Sequence, residues 1–145
     1  MAGGPAGALR MILRMLGLHL TADLHGCCAD APAMRDVDAL RGLCLAAVAA
    51  AGLQAVGELF HPFPAPGGVT GMVLLAESHL AVHTWPELGA VTLDVYVCNL
   101  GGDNSGRAEA LLRTLERAFA PARSEHHRVQ RGEVIERPSA LRAPG

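Results

Sequence analysis

The chain is predicted to be α+β: a two-layer sandwich with a mainly antiparallel sheet and helices packed on one face. Three observations support this class. Residues 16–24 and 90–98 alternate apolar and polar side chains with the two-residue period of a half-buried strand. Residues 36–51 and 105–120 repeat their apolar positions with helical spacing. The two helical segments are separated by a run of strand-like segments, an order that favours helices on one side of an antiparallel sheet.

The first strand, LGLHLTADL, sets Leu16, Leu18, Leu20, Ala22 and Leu24 against His19, Thr21 and Asp23. A helix follows from Asp36 to Ala51 on Val37, Leu40, Cys44, Ala47, Val48 and Ala51, with Asp36 and Asp38 at its positive end and Gly52 as a stop. A short strand is expected over residues 55–60. It leads into HPFPAPGG, where three prolines and two glycines preclude regular structure. Two strands are expected at 69–76 and 79–84, then a turn at Trp85-Pro86-Glu87-Leu88-Gly89. In the strand at 90–98, Val91, Leu93, Val95 and Val97 oppose Thr92, Asp94, Tyr96 and Cys98, which puts the thiol on the polar face. The second helix should begin at Ser105 as N-cap and carry Leu111, Leu112, Leu115 and Phe119 as its apolar stripe, with Glu109 four residues before Arg113. A final strand is expected within 124–136.

At 145 residues, with 50% hydrophobic and 18% charged side chains, the chain suits a single domain spanning residues 1–145 with a real core. A formal charge of −2 supplies no pull toward nucleic acid or an anionic membrane. No apolar run approaches the roughly 18 residues needed to span a bilayer. Arg10 and Arg14 interrupt the N-terminal apolar stretch and no cationic region precedes it, so no signal peptide is read there and a cytoplasmic protein is expected. The four cysteines, Cys27, Cys28, Cys44 and Cys98, lack CxxC spacing and are expected as reduced thiols, with Cys27 and Cys28 structural.

Chemistry concentrates in AESHLAVHTWPE, residues 76–87. His79 and His83 have HxxxH spacing, but on a strand they stand about 13 Å apart, too far to share a metal directly. A hydrolase reading would take Ser78 as nucleophile, His83 as base and Asp94 or Glu87 as the orienting acid, yet no GxSxG elbow accompanies them. His79 could equally pack on Trp85 or satisfy a backbone group. Cys98 could be a nucleophile, an acid or plain filler. The glycines at 67, 68 and 71 have no P-loop lysine or following helix and read as a flexible lead into a strand. The residues alone therefore describe a small α+β protein with a polar cluster around 77–98.

ESHLAVHTWPE, preceded by GGVTGMVLLA and followed by LDVYVCN, resembles the core of the prokaryotic S-adenosylmethionine decarboxylase proenzymes. GLHLTADLHGC and FHPF at residues 60–63 belong to the same resemblance, which covers most of residues 16–136. It implies self-cleavage between Glu77 and Ser78. The Ser78 hydroxyl attacks the Glu77 carbonyl, β-elimination breaks the chain, and the dehydroalanine at 78 hydrolyses to a pyruvoyl group. The products are a β chain, 1–77, and an α chain, 78–145. A pyruvoyl cofactor forms a Schiff base with a substrate amine and accepts the electron pair left by CO2, a task no ordinary side chain performs.

The same resemblance assigns His83 to proton transfer in processing, Thr70 to an assisting hydroxyl, and Cys98 to protonation of the substrate carbon. A thiol whose reference pKa is about 8.5 holds its proton near neutrality yet gives it up readily. Glu87 would hold the ribose hydroxyls and Phe63 would stack on adenine near the sulfonium. No metal is implied. The implied partners are a small-molecule substrate and a second copy of the processed chain in a homodimer, with the product directed to spermidine synthesis. FPAPGGVT, residues 63–70, is one residue longer than the family spacing. Some relatives use the same pyruvoyl chemistry on ornithine or arginine, so those substrates are the alternative. An unprocessed regulatory or binding homologue is a third reading, against which the intact Ser78, His83 and Cys98 speak.

Overall fold

The structure, a computed structural model, describes residues 10–138. Its elements are β1 (Arg10–His25), α1 (Pro32–Arg35), α2 (Val37–Ala50), β2 (Ala55–Pro62), β3 (Val69–Leu75), β4 (Ser78–Trp85), β5 (Ala90–Cys98), α3 (Ser105–Phe119) and β6 (Arg123–Pro138). Six antiparallel strands form one sheet in the order β2-β3-β4-β5-β1-β6. The two long helices pack against each other and against one face of it, which is the expected two-layer arrangement.

The period-two segments of β1 and β5 bury the side chains they were expected to bury, except Leu16, which is only partly buried, and β4 alternates in the same way. Leu18, Leu20, Ala22 and Leu24 of β1, Leu80 and Val82 of β4, and Val91, Leu93, Val95 and Val97 of β5 are all at most 5% exposed. They meet Leu40, Cys44, Ala47 and Val48 of α2 and Ala108, Leu111, Leu112, Leu115 and Phe119 of α3 in one core. Thr84 is the buried polar residue of this layer. Its hydroxyl donates to the Met34 carbonyl at 2.8 Å and accepts from the Val69 N–H at 2.8 Å, so its burial leaves no group unpaired. Phe119, 2% exposed, closes the core below α3. Phe119→Ala should destabilise the fold by about 3–5 kcal/mol in urea titration, as expected for an aromatic cavity in a close-packed interior.

Several features differ from those expected. β2 runs on to Pro62, because His61 and Pro62 pair with Thr70 and Val69, so regular structure enters the HPFPAPGG segment. β1 begins at Arg10 rather than Leu16 because β6 pairs along its whole length, from Arg10 opposite Pro138 to His25 opposite Arg123. The short α1 was not expected; Pro32 starts it and the Asp36 N–H closes it on the Pro32 carbonyl. Asp36 then caps α2, accepting from the Ala39 N–H at 2.8 Å. Ser105 is not the N-cap of α3 but its first helical residue. The Asn99 side chain pulls in the preceding loop by accepting from the Asn104 N–H, and the Ser105 N–H is taken by the Asp103 carboxylate at 2.9 Å.

Among the described residues no helix covers the second face of the sheet. Leu59, Met72, Leu74 and Val129 stand exposed there. Cross-strand register sorts its side chains into rows: Val129, His19, Tyr96, His79 and Leu74; then His127, Thr21, Asp94, Ala81 and Met72; then Glu125, Asp23, Thr92, His83 and Thr70. His79, His83 and Asp94 of the polar cluster lie on this open face, whereas Ser78, at the start of β4, alternates with them.

Candidate active site

Leu75 pairs with Ser78, so Ala76 and Glu77 alone make the turn between β3 and β4. Glu77 takes up φ 60°, a left-handed conformation that a side-chain-bearing residue adopts at a cost of order 1–3 kcal/mol. The Glu77–Ser78 bond therefore follows directly on a strained residue. The Ser78 hydroxyl accepts a hydrogen bond from the Cys98 backbone N–H at 3.1 Å, which joins the start of β4 to the end of β5. Asn104 holds the same strand end by donating to the Cys98 carbonyl at 2.9 Å, and the Asn99 N–H donates to the Leu16 carbonyl at 2.7 Å. Nothing in their residue types marks Asn99 or Asn104; their only signal in the sequence is their place in a glycine-rich loop directly after Cys98.

Thr70, His83, Phe63 and Glu87 assemble elsewhere. Thr70 Oγ1 lies 3.0 Å from His83 Nδ1 across the β3–β4 pair, and the His83 ring leans on Trp85 at 5.8 Å. With Gly67, Gly68, Thr84, Phe63 and Glu87 they line a cleft of about 410 Å3. The FPAPGG segment closes on itself through the Phe63 N–H to the Gly68 carbonyl at 2.9 Å. Gly68 must be glycine: a Cβ there would stand 2.1 Å from the Thr84 carbonyl oxygen. This packing seats the loop on β4 and leaves the Phe63 ring 51% exposed at the mouth of the cleft.

Five residues of strand separate Ser78 from His83, roughly 16 Å at the rise of an extended chain. The candidate residues thus fall into two half-sites at opposite ends of β4: Ser78, Glu77 and Cys98 at one, Thr70, His83, Phe63 and Glu87 at the other.

A third cluster lies between them. Asp94 Oδ1 accepts from His19 Nε2 at 2.7 Å and from His79 Nε2 at 3.0 Å. Tyr96 stands edge-on to His19 at 6.0 Å and tilted against His79 at 5.7 Å. The hydrolase arrangement is therefore not formed. Asp94 serves His79 and His19, whereas His83 Nδ1 is engaged by Thr70. Nor does His79 pack on Trp85, which lies against His83. The His19, His79 and Asp94 ligand atoms lie within 4.8 Å of one another, close enough for a metal, although the HxxxH pair itself is split between two rows of the sheet.

Cys27 and Cys44 are set apart by burial, which pushes Cys44 up to about 12 and raises Cys27 as well, so at neutral pH both stay protonated and unreactive; Cys28 is exposed. Cys98 is half-buried beside Ser78.

A family model described as S-adenosylmethionine decarboxylase matches residues 18–132. The S-adenosylmethionine decarboxylase proenzyme of Sulfurihydrogenibium sp. is 37% identical over 129 residues, covering 88% of this chain and 91% of that protein. The proenzyme of Aquifex aeolicus is 45% identical over 98 residues, 68% of each chain. The fold is similar to the crystal structure of the adenosylmethionine decarboxylase from Aquifex aeolicus, with a TM-score of 0.69 and 35% identity over 91% of this chain and 98% of that one.

Proposed function

The chain belongs to the S-adenosylmethionine decarboxylase family, and from that premise we propose that it cleaves itself at Glu77–Ser78 and then removes CO2 from S-adenosylmethionine. It is a carboxy-lyase of the pyruvoyl-dependent kind. The observation that carries the reading is the Ser78 hydroxyl at the tip of a hairpin, accepting from the Cys98 N–H and preceded by a left-handed Glu77. The bond to Oγ orients an oxygen lone pair and leaves the hydroxyl proton free to depart. Rearranging the Glu77 peptide to an ester relieves the strained turn.

The residues around Ser78 fit a pyruvoyl group at that position: a hydroxyl carbon placed for elimination and a half-buried thiol on the adjoining strand. When formed, such a group supplies an electrophilic carbonyl that takes the substrate amine and draws the electron pair released with CO2. Cys98 then gives its proton to the substrate carbon. At the other half-site the Thr70 hydroxyl fixes the His83 ring through Nδ1, leaving Nε2 to move a proton during elimination. The exposed Phe63 ring offers a face to adenine and the Glu87 carboxylate accepts from ribose hydroxyls.

Because His83 stands about 16 Å from its own Ser78 along β4, the site is completed by a second copy. A homodimer packed through the open sheet faces on a two-fold axis sets the Thr70–His83 half-site of one chain over the Ser78–Cys98 half-site of the other. Leu59, Met72, Leu74 and Val129 supply the apolar surface for that contact. No helix among the described residues is long and apolar enough to cross a membrane, in keeping with a cytoplasmic enzyme that supplies an aminopropyl donor for spermidine.

Intact mass spectrometry should show two fragments, 1–77 and 78–145; one uncleaved chain would remove the pyruvoyl reading. Release of CO2 should be fast with S-adenosylmethionine and at background with ornithine and arginine. Activity confined to either of the latter would transfer the assignment to it. Cys98→Ala should still cleave fully but turn over at least about 100-fold more slowly, the scale of a lost general acid. Undiminished turnover would release Cys98 from that role.

A further inference from the structure

We propose that Asp94 is a positioning residue that holds residue 78 in place after the chain has been cut, acting through His79. This rests on the self-cleavage reading above. In the uncut chain residue 78 has three restraints: the Ala76-Glu77 turn, pairing with Leu75, and the Cys98 N–H on its hydroxyl. Cleavage removes two of them. The Cβ–Oγ bond of Ser78 breaks as its Cα gives up a proton, and Oγ departs as a carboxylate oxygen of Glu77. Addition of water and loss of ammonia then convert residue 78 to a ketone, with no oxidant or reductant consumed. The turn is open, and the oxygen that accepted from Cys98 now belongs to the other chain.

The first side chain downstream that anchors the new terminus is His79. Its Nε2–H reaches Asp94 Oδ1 on β5 at 3.0 Å, and the same oxygen takes His19 Nε2–H from β1 at 2.7 Å. One carboxylate oxygen thus ties β4, β5 and β1 together one residue from the reacting group. Tyr96 backs the arrangement. Its ring lies against His79 and over Gly17, where a Cβ would come within 2.6 Å of the phenol oxygen, so Gly17 allows the ring to lie close to the sheet.

The outer partner of His19 fixes the proton position on that ring. The Arg131 guanidinium donates to His19 Nδ1 at 3.3 Å, which leaves the ring proton on Nε2, pointing at Asp94. A metal-bound histidine needs the opposite order, with its outer N–H given to an acceptor, and a guanidinium accepts nothing. The cluster is built to hold two N–H groups on a carboxylate rather than a cation.

The test compares purified, full-length Asp94→Ala and Asp94→Asn with the unsubstituted protein. Asp94→Ala should still be cut to 1–77 and 78–145, keep KM within about twofold, and lose about 10- to 100-fold in kcat, as a misplaced reacting group does. Amide exchange in the first residues of the α chain should quicken. Asp94→Asn keeps a carbonyl oxygen in reach of both rings and should recover kcat to within about threefold. Should Asp94→Ala fold poorly, His79→Phe keeps a ring against Tyr96, removes the N–H and should show the same kcat loss and faster exchange. An undiminished kcat, unaltered exchange, or failure to cleave in Asp94→Ala would overturn the proposal, as would Asp94→Asn as impaired as Asp94→Ala. Unsubstituted protein that remains one chain would instead sink the self-cleavage reading beneath it.

Discussion

Ser78→Ala should yield one chain of full length with no decarboxylase activity above background. The substitution removes the only atom that can take over the Glu77 acyl group and leave again, so neither the ester nor the elimination can occur. Its cost to the fold is small. One hydrogen bond, from the Cys98 N–H at 3.1 Å, is lost at the end of a strand, worth on the order of 1 kcal/mol. The variant should therefore unfold within a few degrees of the unsubstituted protein while intact mass shows a single species. Two fragments from Ser78→Ala would place the scissile bond elsewhere.

The second large effect concerns His83 and is read in mixed dimers. His83→Ala alone should remain uncleaved, because the chain keeps its nucleophile and loses the group that moves the proton. Ser78→Ala alone is uncleaved for the opposite reason. Co-expressed with distinguishable tags, the two should restore cleavage, and only in the His83→Ala chain, whose intact Ser78 now faces the His83 of its partner. The ground for this is distance: about 16 Å of extended strand lies between the two residues within one chain. Mixed dimers that form and stay uncut would show that each protomer cleaves itself, and would require a bend in β4 that its continuous pairing with β3 and β5 opposes.

Much of the fold was legible because each layer has its own period. Alternation in LGLHLTADL and AVTLDVYVC named the buried side of β1 and β5, and the helical spacing of Leu40, Cys44, Ala47 and Val48 named the buried stripe of α2. What was missed lay where pairing rather than pattern decides. The N-terminal part of β1 has no alternation and is a strand because β6 lies beside it. Ser105 looked like a cap by residue type, but the cap position belongs to the residue whose backbone the loop fixes, and Asn99 fixes Asn104.

The site divides in the same way. Sequence, through its resemblance to the decarboxylase proenzymes, nominated the candidate residues: Ser78 and Cys98 as a hydroxyl and a thiol at strand ends, His83 with Thr70, and Phe63 and Glu87. Alternation in AVTLDVYVC also placed Cys98 on the polar side of its strand, the side that the fold leaves open. Tertiary structure alone decided who meets whom. Spacing alone allows Asp94 to serve His83; antiparallel register puts it between His79 and His19 instead, because cross-strand neighbours are set by hydrogen-bonded pairing and not by separation along the chain. Extension along β4 parts Ser78 from His83. Side chains five residues apart in sequence are close in a helix and far apart in a strand, and that difference in rise is why a site so compact in the sequence is two half-sites in the fold.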